Sequence, residues 1–314
     1  YIAWLDNKED IYVYDMGDDG IINLNDLGIK RLLLSDTDPS ETYSYQKGTK
    51  GDLKISNGVL VWEENEIIGG DYDIRGYNLN IQGDANPLNP KDLHYLAIAN
   101  EKGPLIAGQV YPINEREPFI SGNNIVYIAE NYVDLGEFGV VQSMRVHKTQ
   151  LDNLANKITL SDDNGCSVSE PYIDKISLNE IYWVESCPAS KIIKNNFVVL
   201  ESSDEVYYSP LIVYGEATFY VKKDNTGKLT LSTGESVANT KIDIDKYSLV
   251  YAVNNNGLDI VVKPLKLSFT VYGKEECVVN NDCASLNIEN RFCNAASLAC
   301  FESKTLLKAF NNVG

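Results

Sequence analysis

The chain has 314 residues, 44% of them apolar, and its formal net charge at pH 7 is −18. The apolar fraction is large enough to bury a core, which excludes a chain that is disordered throughout. Nucleic-acid binding needs Lys and Arg on phosphates, and this acidic balance repels nucleic acid and anionic lipid alike, while it favours cations and basic partners. No apolar run approaches the roughly 18 residues of a membrane-spanning helix.

An isoleucine recurs seven residues before an aromatic residue at four places in the chain. The pairs are Ile55 and Trp62, Ile120 and Tyr127, Ile176 and Trp183, and Ile244 and Tyr251. A fifth copy, Ile2-Ala3-Trp4, opens the chain without its upstream half, so we expect a processed chain or part of a longer one. Successive aromatics are 56 to 68 residues apart. The chain is therefore built from long internal repeats.

Each repeat contains short runs of β-branched and aromatic residues between Asn-Gly and Asp-rich turns, and such runs predict strands. In the first repeat they include Asp10–Tyr14 and Leu32–Ser35. With the run that ends at the repeated isoleucine, a repeat holds four strands. Units of more than about 50 residues with four strands are typical of β-propeller blades. We therefore predict an all-β fold, a β-propeller of about five four-stranded blades over residues 1–272. The alternative is a plain β-sandwich with accidentally similar strands.

Three blades depart from the common pattern, and in the third the second run, around Val140–Val146, is degenerate. The first lacks its innermost strand, which either the C-terminal segment, with Thr305–Phe310 as the candidate, or further blades upstream would supply. The fourth has a degenerate run at Phe197–Leu200 and an insertion at Glu201–Lys223, and Leu229–Ser232 closes it.

The residue order I-S-x-x-x-V-V-W, D-I-Y-V-Y-D and L-x-L-S resembles the TolB-like, WD40-like propeller repeats of microbial, especially archaeal, extracellular proteins. The resemblance extends over about residues 1–272. It implies that the run ending at Ile55 is the innermost strand of its blade and that Trp62 lies on the next strand out. It does not fix a function, because propellers have many unrelated roles.

The first repeat continues into an acidic loop over residues 15–26 that resembles the calcium loops of EF-hand and dockerin domains. Calcium prefers six to eight oxygen ligands, and closely spaced carboxylates repel one another without it. Gly17 supplies no side-chain oxygen at the third loop position, so water or a carbonyl must replace it. The alternative is a solvated acidic turn. The predicted calcium ligands are Asp15, Asp19, Ile21 through its carbonyl, Asn23 and Asp26.

Two cysteines lie in the fourth blade. Cys166 and Cys187 flank its innermost strand and the strand that follows. Antiparallel neighbours can bring the two thiols together, so we predict a disulfide; the alternative is a pair of buried free thiols. A disulfide would indicate an oxidising compartment.

The remaining cysteines are clustered in residues 273–314, which we predict to be a small cysteine-rich module with a C-terminal tail. The segment has few apolar residues and cannot build a core, so cross-links would have to stabilise it. We expect two disulfides, pairing the first cysteine with the third and the second with the fourth; the alternative is a zinc site, although no histidine is near. The four are Cys277, Cys283, Cys293 and Cys300.

No catalytic motif is present in the sequence. The two histidines, His94 and His147, lie in separate repeats without a partnering motif. Paired carboxylates could serve a glycosidase, and Asp6, Glu64 and Glu185 share the position two residues after the repeated aromatic. We expect these acids to lie in solvated turns. The repeated aromatics could stack on sugars, but aromatics at equivalent positions are more typical of packing between sheets.

These features together predict a non-enzymatic, extracellular structural or adhesive protein of a cell-surface assembly such as a surface layer, filament or sheath. Calcium would stabilise it, and its partners would be copies of itself or other surface proteins, joined through blade edges or terminal segments. Two other classes stay open: a glycan-binding lectin or glycoside hydrolase, and an envelope scaffold for protein partners.

Overall fold

The computed structural model describes residues 1–6, 10–15, 28–32, 49–65, 71–81, 94–99, 101, 103–106, 108–134, 140–162, 164–174, 179–213, 217–244, 248–254, 257–264, 267–271, 291–294 and 299–305. These residues form strands, turns and irregular segments, and none of them lies in a helix. Across these ranges, then, no helix has the length and hydropathy that crossing a membrane requires.

The first two sheets are antiparallel meanders in which consecutive strands pair. The first sheet contains β1 (Ile2–Asp6), β2 (Asp10–Asp15) and β3 (Gly28–Leu32). The second contains β4 (Thr49–Ser56), β5 (Val59–Asn65), β6 (Tyr72–Asn78) and β7 (Tyr95–Ala99). The turn between β4 and β5 is Asn57-Gly58, and both residues have positive φ, as a two-residue hairpin turn requires.

Two further four-stranded meanders follow a short hairpin. The hairpin pairs β8 (Leu105–Ile106) with β9 (Gln109–Val110). The third sheet contains β10 (Glu115–Ser121), β11 (Asn124–Asp134), β12 (Val140–Gln150) and β13 (Asn153–Thr159). The fourth contains β14 (Ser167–Ile173), β15 (Ile181–Cys187), β16 (Ala189–Lys194) and β17 (Phe197–Ser202).

The described strands between residues 206 and 305 form three-stranded sheets. One contains β18 (Val206–Val213), β19 (Ala217–Lys223) and β20 (Leu229–Leu231), and the next contains β21 (Ile242–Ile244), β22 (Ser248–Asn254) and β23 (Leu258–Pro264). The last has the order β24-β26-β25, from β24 (Leu267–Val271), β25 (Arg291–Asn294) and β26 (Ala299–Thr305).

The predicted fold class is confirmed: the described chain is all-β, and its meander sheets have the strand order of β-propeller blades. Each of the five repeated aromatics lies in a different sheet. Four lie on the second strand of their sheet, and Trp4 lies on β1, the first described strand, as expected for a blade without its innermost strand. The aromatics and their strands are Trp4 on β1, Trp62 on β5, Tyr127 on β11, Trp183 on β15 and Tyr251 on β22.

The fourth blade differs from its predicted composition. Phe197–Leu200 belongs to β17, the fourth strand of its sheet, and β16, which the sequence analysis missed, is the third. The predicted insertion contains two strands, β18 and β19. The run that was expected to close the fourth blade is β20, which pairs with β19. A separate sheet therefore follows the fourth blade.

The core lies between successive sheets. One cluster joins Ile11 and Val13 of β2 to Trp62 of β5, and all three side chains are buried. A second cluster joins Val61 and Ile74 of the second sheet to Tyr127 of the third. Such face-to-face packing buries the apolar side of each strand, at about 25 cal/mol for each Å² removed from water. The repeated aromatics of the second and third sheets thus pack between sheets, as predicted.

The chain divides into two compact units. The first comprises Tyr1–Ile173, Glu185–Cys187 and Lys194–Phe197. The second comprises Asp174–Val184, Pro188–Ile193 and Val198–Gly314. The boundary that we predicted between residues 272 and 273 lies outside the described residues and stays a prediction.

Candidate functional site

In each of four sheets, the first strand contains one residue other than glycine with a left-handed backbone conformation. Such residues are uncommon in that conformation. In three of the strands the residue lies where the pairing shifts by a β-bulge, which redirects side chains. An isoleucine follows three residues later in all four strands. These positions are therefore equivalent, and three of them carry a carboxylate. The residues and their φ angles are Asp52 (42°), Glu117 (52°), Glu170 (53°) and Ser209 (47°).

Two carboxylates, of Glu63 and Glu117, connect neighbouring sheets at two of these left-handed residues. Glu63 Oε2 accepts a hydrogen bond from the Glu117 backbone N–H at 3.2 Å. Glu117 Oε2 in turn accepts one from the Glu170 backbone N–H at 2.6 Å. The bulge at Glu117 interrupts the strand ladder there, and the Glu63 carboxylate accepts the hydrogen bond of its backbone N–H. Glu63 and Glu117 thus link each of their sheets to the next one by a hydrogen bond.

Glu64, one of the three candidate acids, is held by two neighbours. Trp62 Nε1 donates a hydrogen bond to Glu64 Oε2 at 3.0 Å, and Lys50 Nζ lies 3.3 Å from Glu64 Oε1. Lys50 is almost fully buried, and its Nζ donates no hydrogen bond to any described residue. A buried ammonium is costly without an opposite charge, so Glu64 compensates the charge of Lys50.

Glu115 on β10 is a fully buried carboxyl group. Its Oε1 accepts a hydrogen bond from the Glu101 backbone N–H at 3.0 Å, while Oε2 has no partner among the described residues. Burial raises the pKa of Glu115 to about 8, against the smaller lowering effect of that hydrogen bond. The group is therefore protonated at neutral pH. Because it has no exposed surface, it cannot touch a substrate, and its protonation concerns stability.

The other two candidate acids have different surroundings. Asp6 is exposed and ends β1, whereas Glu185 is buried within β15. Asn164 Nδ2 donates a hydrogen bond to Glu185 Oε2 at 3.4 Å. Glu64 and Glu185 thus lie inside strands, where the sequence predicted solvated turns.

Both histidines pack on an aromatic ring. His94 lies against Tyr77, and its Nε2 is 3.2 Å from the carbonyl oxygen of Ile81. His147 stacks on Tyr127 at 5.6 Å between ring centroids. Burial lowers the pKa of His147, which favours the neutral imidazole. The described contacts of both residues are those of core side chains.

The predicted calcium loop lies almost entirely outside the described residues. Asp15 ends β2, and its backbone pairs with Gly28. Asp19, Ile21, Asn23 and Asp26 are not described. In the ranges that the structure does describe, no group of three or more His, Cys, Asp or Glu side chains is placed to hold a metal ion. The calcium site stays a prediction.

The predicted disulfide of the fourth blade is confirmed. Cys166 and Cys187 are bonded, with 4.9 Å between their Cα atoms and a sequence separation of 21. Of the C-terminal cysteines, Cys277 and Cys283 lie outside the described residues. Cys293 and Cys300 occupy opposite positions in the β25–β26 register. The pairing within this cluster, and the module itself, stay predictions.

Large apolar side chains are exposed on the outer strands of several sheets. Phe197 is 76% exposed, and Val198 and Val199 beside it are also exposed. Consecutive residues point to opposite faces of a strand, so both faces of β17 present apolar surface. Apolar edges of this kind are typical of interaction surfaces. Further examples are Ile2 and Trp4 on β1, Ile158 on β13, Val206 on β18, and Leu258, Ile260 and Val262 on β23.

Comparisons with known proteins find similarity among solved structures. No family model matches the chain, and no curated protein matches it. Among solved structures, the chain is similar to the WD40 β-propeller domain of Doa1, with 11% sequence identity and a TM-score of 0.36. The similarity covers 97% of this chain and 88% of that one. The strand order described above carries the assignment of the fold.

The structure shows a repeat signal that the sequence analysis missed. Residues 117–121 read Glu-Pro-Phe-Ile-Ser, residues 170–174 read Glu-Pro-Tyr-Ile-Asp, and residues 209–213 read Ser-Pro-Leu-Ile-Val. Each segment contains the bulge residue, a proline and the equivalent isoleucine. The buried Ile173, and not Ile176, is thus the counterpart of Ile120, and the third predicted pair was misaligned by three residues. The same signal would have found β18.

Proposed function

We propose that this protein is a non-enzymatic, extracellular β-propeller subunit of a cell-surface assembly such as a surface layer, filament or sheath. It joins its neighbours through the outer strands of its sheets. The observation that carries the proposal is the apolar strand β17, in which Phe197, Val198 and Val199 are exposed on both faces. β17 is the last strand of its sheet among the described residues.

An exposed apolar edge strand is a liability for a protein that works alone. Its unpaired backbone groups and apolar side chains invite pairing with another chain, and proteins that stay monomeric blunt such edges with charge, proline or a cover. In β17 the run Phe197–Leu200 contains no charge and no proline, and the charged Glu201 follows only near the end of the strand. The edge is instead suited to a partner that adds a strand or packs an apolar face against it.

Two features support an extracellular setting. The Cys166–Cys187 disulfide is suited to an oxidising compartment, since thiols are kept reduced in most cytosols. The net charge of −18 favours a soluble surface in contact with cations. Calcium at the 15–26 loop would stabilise the first sheet in that setting.

The test locates the protein in its source cells and compares how wild type and a β17 variant bind to cell envelopes. Fractionation and antibody labelling of the source cells should place the protein outside the membrane. Labelled purified protein should bind envelopes from these cells, and Phe197→Glu with Val199→Glu should abolish the binding. Asn153→Asp, which adds a negative charge on the exposed start of β13, is the matched control and should bind normally. A cytoplasmic location, or unchanged binding by the β17 variant, would contradict the proposal.

The glycan alternatives need their own test. Binding on a glycan array, or release of sugars in a hydrolysis screen, would favour a lectin or a glycoside hydrolase. Glu64→Gln and Glu185→Gln would then decide whether these acids take part. A hydrolytic activity that both variants lose, although they fold normally, would replace the structural role with an enzymatic one.

A further inference from the structure

Six half-buried residues form a continuous row of contacts beside the second and third sheets, within the first compact unit. The ring of Tyr111 packs on that of Tyr132, with 5.4 Å between the ring centroids. The Tyr132 hydroxyl donates a hydrogen bond to Glu130 Oε2 at 2.9 Å. Asn114 donates two more bonds to the same oxygen, from Nδ2 at 2.5 Å and from its backbone N–H at 3.3 Å.

The row continues through Asn114 to Tyr72 and Arg116. Asn114 Oδ1 accepts a hydrogen bond from the Tyr72 backbone N–H at 3.2 Å. The guanidinium group of Arg116 lies over the Tyr72 ring, with Cζ 4.0 Å from the ring centroid. The face of an aromatic ring attracts a cation, so the ring fixes the position of the guanidinium. We call the six residues the arginine–tyrosine row: Tyr72, Tyr111, Asn114, Arg116, Glu130 and Tyr132.

Arg116 has no counter-charge among the described residues. Its guanidinium forms no ion pair with any of them, and its Nε–H is buried and donates no described hydrogen bond. The acids on either side of it in sequence are engaged elsewhere: Glu115 accepts a bond from Glu101, and Glu117 accepts one from Glu170. The chain has 45 acidic and 27 basic residues, so carboxylates are abundant and Arg116 still has none. A carboxylate from outside the chain can therefore bind here.

Both charged groups of the row keep positions open for a ligand. Nε is the only Arg116 nitrogen that is both buried and unpartnered, so the two terminal nitrogens are within reach of a partner. Glu130 accepts its described hydrogen bonds on Oε2, which leaves Oε1 as an acceptor. The row thus combines an open cation, an open acceptor and aromatic rings on a framework held by its own hydrogen bonds.

This combination suits a peptide segment that carries a carboxylate. A guanidinium binds a carboxylate through two parallel N–H···O bonds, and Glu130 Oε1 can accept a bond from a peptide backbone N–H. Tyrosine and arginine are also the residue types that dominate the energetics of protein interfaces. A saccharide fits less well, because its hydroxyls need amide and hydroxyl partners. The amide of Asn114 and the hydroxyl of Tyr132 are already bonded within the row.

We propose that the arginine–tyrosine row binds an acidic peptide segment of another protein, with the peptide carboxylate on Arg116 and a peptide N–H on Glu130 Oε1. The inference rests on the proposed function for the source of this segment, which is a neighbouring protein of the surface assembly. It adds a contact of a different chemistry from β17, since one depends on a charge pair and the other on apolar surface.

The test measures binding of labelled short peptides to the whole chain by fluorescence anisotropy. Each peptide has either Asp or Glu, or the matched Asn or Gln, at one position, and its C-terminus is either free or amidated. Wild type should bind peptides that have a carboxylate and not the amidated Asn or Gln peptides. Binding of amidated Asp or Glu peptides would assign the carboxylate to a side chain. Binding that requires a free C-terminus would assign it to the end of a chain.

Arg116→Gln should weaken this binding by roughly 10- to 100-fold, the range for a hydrogen bond to a charged group. It should keep the wild-type melting temperature, because Arg116 has no described counter-charge in the fold. Lys148→Gln, which removes the same charge from β12 outside the row, is the matched control and should bind like wild type. Should Arg116→Gln fail to fold, Tyr72→Leu provides a second measurement. It removes the ring beneath the guanidinium, keeps the backbone N–H, and should weaken binding a few-fold.

Several results would overturn the proposal. The first is that no peptide binds, or that peptides bind equally well with and without a carboxylate. The second is equal binding by wild type and a folded Arg116→Gln. Binding of an acidic saccharide such as oligogalacturonate in place of every peptide would assign the row to a glycan. Self-association of wild type that Arg116→Gln abolishes would assign it to a second copy of this chain. Failure of peptide binding while β17 still mediates envelope binding would remove this site and leave the proposed function in place.

Discussion

At single positions, the surroundings of each acid decide what it contributes to stability. Glu115 has no exposed surface and no cation in direct contact among the described residues, so burial raises its pKa to about 8. Glu64 is partly exposed and lies 3.3 Å from the buried Lys50 ammonium, whose charge it compensates. Removing the carboxyl group should therefore have opposite consequences at the two positions near neutral pH.

Glu115→Gln should make stability less sensitive to pH. The folded pKa of Glu115 lies above its ordinary value of 4.5, so folded protein holds a proton that the unfolded chain releases between about pH 4.5 and 8. The stability contribution is present at low pH and is lost as pH rises through that window, at about 1.4 kcal/mol for each pH unit. In urea titrations, the variant should match wild type near pH 5 and be more stable above pH 8. Parallel curves at all pH values would refute the raised pKa.

Glu64→Gln should leave Lys50 as a buried charge without compensation. Removing one partner of a buried pair costs about 3–5 kcal/mol, and partial exposure of Glu64 reduces the expected loss to about 2–3 kcal/mol. The double variant Lys50→Met with Glu64→Gln should recover much of that loss. Lys191→Met, which breaks a more exposed pair with Glu201, is the control and should cost less than about 1 kcal/mol. A double variant as unstable as Glu64→Gln would show that Lys50 is not the cause.

At the scale of strands and sheets, two devices stabilise the repeats: carboxylates that bridge neighbouring sheets, and the Cys166–Cys187 disulfide. Removing the disulfide with Cys166→Ala and Cys187→Ala should lower the free energy of unfolding by about 3 kcal/mol, the chain-entropy value for a loop of this length. Urea unfolding of the double variant measures this without reducing the C-terminal cysteines. Serine in place of alanine is the control for polarity. A loss below about 0.5 kcal/mol would show that the bond contributes little to folding.

The fold was predictable because its signals are local and repeated. Strand runs, Asn-Gly turns and the regular aromatics predicted the blade unit, and the short separation of Cys166 and Cys187 across neighbouring strands predicted their bond. The acids with positive φ were missed because residue type does not identify them: Asp, Glu and Ser all occur at this position of the repeat. The sheet β18–β20 was missed because a longer hairpin changes the spacing between Ile212 and Tyr220 to eight residues.

Packing partners were less predictable than strands. Sequence identifies an apolar face but not what covers it, which is why Trp4 was expected in a core and is exposed. The surroundings of Glu64 and Glu185 were also missed, because a position two residues after the aromatic was taken for a turn. Burial and pairing depend on neighbouring sheets, and no local pattern encodes them.

For the whole molecule, the balance of charge makes cations the natural stabilising ligands. The 45 acidic residues exceed the 27 basic ones, so the difference is the net charge of −18. Repulsion among the acids opposes the compact state, and bound cations relieve it. All five predicted calcium ligands lie within 12 consecutive positions, from Asp15 to Asp26.

Calcium should therefore raise the melting temperature of the whole protein. A ligand that binds only the folded state stabilises it by RT ln(1 + [L]/Kd), and an extracellular type of site with a Kd of roughly 0.5 mM would give about 1–2 kcal/mol at about 5 mM calcium. That gain corresponds to a rise of a few degrees in a thermal melt. Asp15→Ala with Asp19→Ala should abolish the rise. Asp152→Ala with Asp162→Ala removes the same charge at exposed positions elsewhere and should keep it. An equal rise in both variants would mean that calcium only screens the acidic surface, whereas no rise in wild type would reduce residues 15–26 to an acidic turn.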